Sequence, residues 1–297
     1  MVGRAFARLN GTALAQLLRL PLAVMVALTA ITGALLLRAP TNGLTLWAVG
    51  SGVFLLTAAG SVLNQLQERT SDALLRRTAG RPLACGQLSP AAGSGLGLSL
   101  ASGGLAVLLA GTGAGPALLG LAALTWYLLV YTPLKRLTSL AVLAGTPCGA
   151  LPPLIGWLAG GGPLPAPQPL ALALIMLLWQ VPHYWLLALP DRAELHAAGF
   201  RTLPELTDRQ LLTVSRRWIG ALALATVFLP LLAMPTHTLA QGLLIGLALA
   251  LAGGTVWMSG RTLFAAAAAP LLRHLLHLYL GLILMVLAGD TLFPLSP

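Results

Sequence analysis

Residues 43–90 read GLTLWAVGSGVFLLTAAGSVLNQLQERTSDALLRRTAGRPLACGQLSP. The first half, 43–66, carries no charge and is long enough to cross a hydrocarbon layer about 30 Å thick as a helix. The second half places two acids, Glu68 and Asp72, among four arginines. Apolar runs alternating with basic segments recur along all 297 residues, of which 57% are hydrophobic and 8% charged, with a mean hydropathy of +0.87. A soluble domain of this size carries about 25% charge. The chain is therefore expected to be an all-α, polytopic membrane protein, a single transmembrane domain over 1–297 with no soluble domain.

Nine spans are predicted, at about 18–37, 43–66, 91–111, 115–133, 139–160, 168–189, 217–234, 239–258 and 274–293. Lys and Arg near span ends stay in the cytoplasm. Of the 17 Lys and Arg, only Arg38 falls on the side opposite the others when the spans are counted this way. The amino terminus is thus predicted inside and the carboxyl terminus outside, and the first span, too long for a signal peptide core, is expected to be retained. The net charge of +10 needs no nucleic-acid partner, because topology, anionic lipid head groups and an anionic substrate are sufficient outlets. Cys85 and Cys148 lie in different environments and suggest neither a disulfide nor a metal cluster.

Six of the seven acids cluster at two long inner loops, about 67–90 and 190–216; the seventh, Asp290, sits near the outer end of the last span. The spans are expected to surround a central cavity open to the cytoplasmic side, with the chemistry there. A secondary transporter would be expected to place ionisable groups near the bilayer midplane; this chain keeps them at the inner ends.

Asn64, Glu68 and Asp72 are spaced four and four, which on a helix sets three oxygen donors along one stripe. Hard cations such as Mg²⁺ take carboxylate and amide oxygens and are completed by substrate phosphates. Arg77 and Arg81 follow, with guanidinium forks suited to phosphate. The alternative is a snorkelling helix end whose charges neutralise one another at the head groups. It gives no reason to place acids at helical spacing where dehydrating them is costly.

The stretch N-x-x-x-E-x-x-x-D-x-x-x-x-R-T-x-x-R-P-L-x-x-G-x-x-x-P resembles the signature of the UbiA-type intramembrane prenyltransferases, and within them the heme O synthase branch. Glu68 stands where the family often has Asp. Residues 131–158, YTPLKRLTSLAVLAGTPCGALPPLIGWL, are similar to a second family block. Taken alone, Lys135 and Arg136 are topology anchors beside a proline-broken helix of the kind tolerated where it lines a cavity. The resemblance implies that both contact diphosphate. A third block, WQVPHYWLLALPDRAELHAAGFRTLP at 179–204, matches less closely, with Glu194 in place of Asp, Leu195 in place of Tyr and Arg201 in place of Pro. Asp191 and Glu194, three apart, are candidates for a second Mg²⁺. His183 is either a packing residue or, as its PH pair matches the family, a functional one; His274 and His277 read as interface residues.

The resemblance covers about 60–205. It implies Mg²⁺-dependent transfer of farnesyl from farnesyl diphosphate to the vinyl group of heme B, giving heme O, in a bacterial inner membrane. A heme A synthase or oxidase assembly proteins are the implied partners. The motif-bearing loops are about 64–90, 131–138 and 183–216. Asn64, Glu68, Asp72, Lys135, Arg136 and His183 are the expected catalytic residues. Two other readings share these motifs: prenyl transfer to 4-hydroxybenzoate or another ring, and an inactive relative acting in oxidase assembly.

Overall fold

The computed structural model describes residues 9–38, 41–201, 203–259 and 269–293, so Arg4, Arg8 and Arg261, counted in the charge asymmetry, lie outside the described residues. Helix α1 (Gly11–Leu18) and helix α2 (Leu20–Leu35) meet at Arg19 with a bend of 49°. Pro21 forces the break: it has no N–H for the carbonyl four residues back, yet fits the first turn of a new helix. Arg19 accordingly takes a left-handed conformation, φ 48°. Helix α3 (Gly43–Asp72) runs unbroken through the quoted apolar run into the acids, and α4 (Pro90–Thr112) returns beside it, capped by the Ser89 side chain.

Helix α5 (Ala114–Trp126) passes through a widened π turn, Tyr127–Tyr131, into α6 (Thr132–Leu137). Pro133 accounts for the wide turn, since its missing N–H and its ring disrupt the regular ladder just before it. The fifth expected span is two helices, α7 (Ala141–Ala150) and α8 (Pro152–Ala159). Then follow α9 (Pro167–Ala188), the short α10 (Arg192–Ala197), α11 (Asp208–Val227), α12 (Thr238–Ser259) and α13 (Ala269–Leu292).

A helix or broken helix pair stands at each of the nine expected spans. Among the described residues, seven helical stretches are long and apolar enough to cross a membrane, eight when α1 and α2 count as one bent span. Helix α11, the expected seventh span, begins nine residues earlier than expected, in DRQLLTVSRRW, and its polar first half keeps it below that standard. The protein is a multi-pass, all-α membrane protein.

Two apolar cores hold the bundle. Leu172, Ile175 and Leu186 of α9 meet Leu211 and Leu222 of α11 and Leu276 and Leu280 of α13. Ala30, Val49, Leu56, Leu108 and Ile155 form the second, among α2, α3, α4 and α8. Small residues set the approach in the second core, as is usual where lipid removes the hydrophobic drive between helices. At Gly156 an added methyl would collide with the Ala30 carbonyl, so α8 lies directly on the α2 backbone.

The three motif loops converge at one end. Arg76 and Arg77 pair with Glu194 and Asp191, the Arg136 guanidinium donates to Ser71, and the Arg201 N–H donates to the Lys135 carbonyl at 2.8 Å. At the opposite end the two outliers of the charge pattern find each other: Arg38 forms an ion pair with Asp290, whose carboxylate also accepts from the Thr236 and His237 N–H groups at 3.0 Å.

Candidate functional site

A cavity of about 820 Å³ lies at the motif end, enclosed by α1–α3, the loop after α3, the π turn, α6, α9 and α13. Beneath it, between α2, α3, α5, α7 and α9, lies an apolar chamber of about 120 Å³. Tyr127, Tyr131, Trp179, His183 and Tyr184 line both spaces.

Glu68 and Asp72 face this cavity, one turn apart on α3. Each carboxylate is matched by a cation. Lys135 Nζ lies 2.7 Å from Glu68 Oε1, and Arg81 Nη1 donates to Asp72 Oδ2 at 2.7 Å. The Lys135 contact leaves Glu68 Oε1 buried without a directed hydrogen bond, an oxygen with coordination capacity to spare. Lys135 Nζ also sits 4.9 Å above the Tyr131 ring centroid. Burial, reinforced by nearby Arg19, pulls the Arg81 guanidinium below its usual pKa, while Asp72 opposes that shift.

The remaining expected residues fall at different depths. Asn64 is wholly buried but lies behind the cavity wall: its Nδ2 donates to Thr132 Oγ1 at 3.1 Å and its Oδ1 accepts from Arg19 at 3.4 Å. Arg77 lines the cavity and is held by Asp191 at 2.7 Å. Asp191 and Glu194 stand half-buried behind the arginines they grip. Arg136 is exposed and does not line the cavity itself; it donates to Ser71 and lies over the ring of Phe200, which does. His183 lines the cavity, stacked on Trp179.

Arg19 and His277 also line the cavity, though neither is a site residue expected from the sequence. Arg19, counted there only as a topology anchor, reaches Tyr127 Oη at 3.3 Å as well as Asn64. The Pro21 that bends the chain at this point was its signal. His277, read as an interface residue, lies on the cavity wall against His183, whereas His274 is exposed.

The donor set suits a hard divalent ion: carboxylate oxygens one turn apart, one of them incompletely bonded, with cations opposite to receive phosphate. Among the described residues no three acids, histidines or cysteines converge on one point. An ion here would therefore be completed by a substrate, as Mg²⁺ commonly is.

The cavity with the paired charges thus shares its aromatic wall with an apolar chamber within the helix bundle. Residues 24–264 match the UbiA prenyltransferase family. The chain belongs to that family and is a prenyltransferase. It is 44% identical over 215 residues to the protoheme IX farnesyltransferase of Geobacter sulfurreducens, covering 72% of this chain and 79% of that one. In fold it is similar to an apo UbiA homolog from Aeropyrum pernix K1, with TM-score 0.70 and 20% identity over 92% of this chain and 98% of that one. It is similar also to a UbiA homolog from Archaeoglobus fulgidus bound to DMAPP and Mg²⁺, with TM-score 0.66 and 16% identity over 92% and 98%.

Proposed function

We propose that the protein transfers the farnesyl group of farnesyl diphosphate to a vinyl group of heme B, producing heme O. The observation that carries this reading is the alternation of Glu68, Lys135, Asp72 and Arg81 in a cavity that shares Tyr127, Tyr131 and Tyr184 with the apolar chamber. It sorts a diphosphate from its isoprenoid tail. The acceptor is taken from the relatives named protoheme IX farnesyltransferase, which are 38–44% identical.

Glu68 and Asp72 would hold the Mg²⁺, and Arg81, Lys135, Arg77 and Arg19 would receive the diphosphate. Mg²⁺, when bound, adds positive charge against the departing diphosphate. The cations of the wall are preorganised to stabilise the same charge as the allylic C–O bond breaks. Farnesyl C1 then bonds to the terminal vinyl carbon. A water adds to the resulting porphyrin-side cation, leaves a hydroxyl and releases one proton. The Tyr127, Tyr131 and Tyr184 rings, spaced at 5.6 and 6.2 Å, face the farnesyl side with π surface and keep it dry.

Asn64 acts through Arg19, and Asp191 and Glu194 act by holding Arg77 and Arg76. We place the motif end at the cytoplasmic face of a bacterial inner membrane, with the carboxyl terminus outside, following the charge asymmetry. One catalytic domain then spans the whole chain and passes its product to a heme A synthase or oxidase assembly partner. The test is to give the purified protein heme B, farnesyl diphosphate and Mg²⁺. Heme O identified by mass, absent when EDTA replaces Mg²⁺, is the expected result; no product from the wild type overturns the reading.

A further inference from the structure

Helices α9 and α13 are clamped together beside the cavity by Trp179, whose Nε1 donates to the Leu276 carbonyl at 2.8 Å. His183 stacks flat on Trp179, at 4.6 Å and 11°. His277 meets His183 edge-on at 4.6 Å and 86°, and all three rings line the cavity. Two imidazoles in direct edge-to-face contact leave no space for a porphyrin plane between them, so they cannot serve as opposite axial ligands. Their environments differ. His277 Nδ1 lies 2.8 Å from the Arg273 carbonyl. That carbonyl can only accept, so Nδ1 carries a proton, and in the neutral ring the lone pair is on Nε2. A metal-ligating histidine is commonly held in this way. His183 is nine-tenths buried with Nδ1 unpartnered, an uncommon state for a buried polar atom.

We propose that this pair is the iron-reading subsite of the acceptor: His277 ligates the porphyrin iron through Nε2 on one axial face, and His183, fixed by Trp179, sets the plane of that ring. The inference rests on the heme reading of the cavity and adds how an iron porphyrin is told from other flat acceptors. The pair adjoins the junction of the cavity with the apolar chamber, so a porphyrin held there has an edge beside the bound farnesyl group.

The test is titration of the purified protein with heme B and with metal-free protoporphyrin IX, followed by absorbance, for wild type and His277→Ala. Wild type is expected to bind heme B at least tenfold more tightly than the metal-free ring, with a shifted Soret band. His277→Ala is expected to lose both the preference and the shift, to regain the shift on addition of imidazole, and to bind farnesyl diphosphate with Mg²⁺ as wild type does, which shows that it folds. Equal heme B titrations for the two proteins, or no preference in wild type, overturn the proposal. If wild type still makes heme O in that case, the functional reading stands; if it neither binds heme B nor makes heme O, both fall.

Discussion

Lys135 Nζ lies 2.7 Å from Glu68 Oε1, with the two side chains 11% and 7% exposed, on the wall of a cavity into which Asp72 and Arg81 also project. An ion pair this withdrawn from water is a poor source of stability, because desolvating both charges offsets most of their attraction. It is a good way to hold a cation and an anion ready for a ligand that carries both signs. On the proposed function, a metal diphosphate would exchange with the pair charge for charge.

Glu68→Gln and Asp72→Asn should each lower kcat by about 10²–10³, the loss typical of one preorganised electrostatic partner, and should raise the Mg²⁺ concentration for half-maximal activity. Lys135→Ala should raise KM for farnesyl diphosphate. Steady-state assays across a Mg²⁺ series measure all three; wild-type Mg²⁺ dependence in Glu68→Gln would remove the metal assignment.

Arg19 stands at the bend between α1 and α2, held by Asn64 and Tyr127 at the cavity wall. Arg19→Met should reduce kcat/KM by about 10²-fold, near the lower end of what one such donor contributes. Asn64→Ala should reduce it less, and the double variant should be no worse than Arg19→Met alone. A double-mutant cycle reports this directly; additive losses would show that Asn64 does not act through Arg19.

Much of the fold was legible because the membrane imposes it. The outlying Arg38 and Asp290 marked the end where they pair, and the apolar runs set the helices. The site was legible in part. A four-residue step on a helix drifts by roughly 40°, so over two steps the stripe turns: Glu68 and Asp72 reach the cavity, while Asn64 passes behind it. Neighbours on a helix diverge by about 100°, so Lys135 faces inward and Arg136 does not. Arg19 depends on a bend and His277 on the packing of α13 against α9, and neither is a local property of the sequence.

The segment GALPPLIGW, 149–157 of the second block, has a structural share that is separable from catalysis. Gly156 lies on the backbone of α2, so Gly156→Ala must push α8 away from α2. Overpacking of this kind costs about 1–3 kcal/mol. A lowered Tm in detergent is expected, and an unchanged Tm would mean that α8 moves freely.

The Arg38–Asp290 pair is remote from the cavity, joining the end of α2 to α13 and the Thr236–His237 turn. Asp290→Ala removes the carboxylate partner of Arg38, which keeps only its bond to Thr236 Oγ1 at 2.8 Å, and the acceptor of the Thr236 and His237 N–H groups; at this half-exposed turn each lost bond is worth about 0.5–1.5 kcal/mol. The variant should melt earlier yet keep the KM for farnesyl diphosphate; a changed KM would tie this end to the site.

Whether this cavity serves a porphyrin acceptor is decided by competition. The purified protein is given farnesyl diphosphate, Mg²⁺ and equal amounts of heme B and 4-hydroxybenzoate, and all prenylated products are measured by mass. Heme O as the sole product is predicted; farnesylated hydroxybenzoate, or no product from either acceptor, would contradict the account.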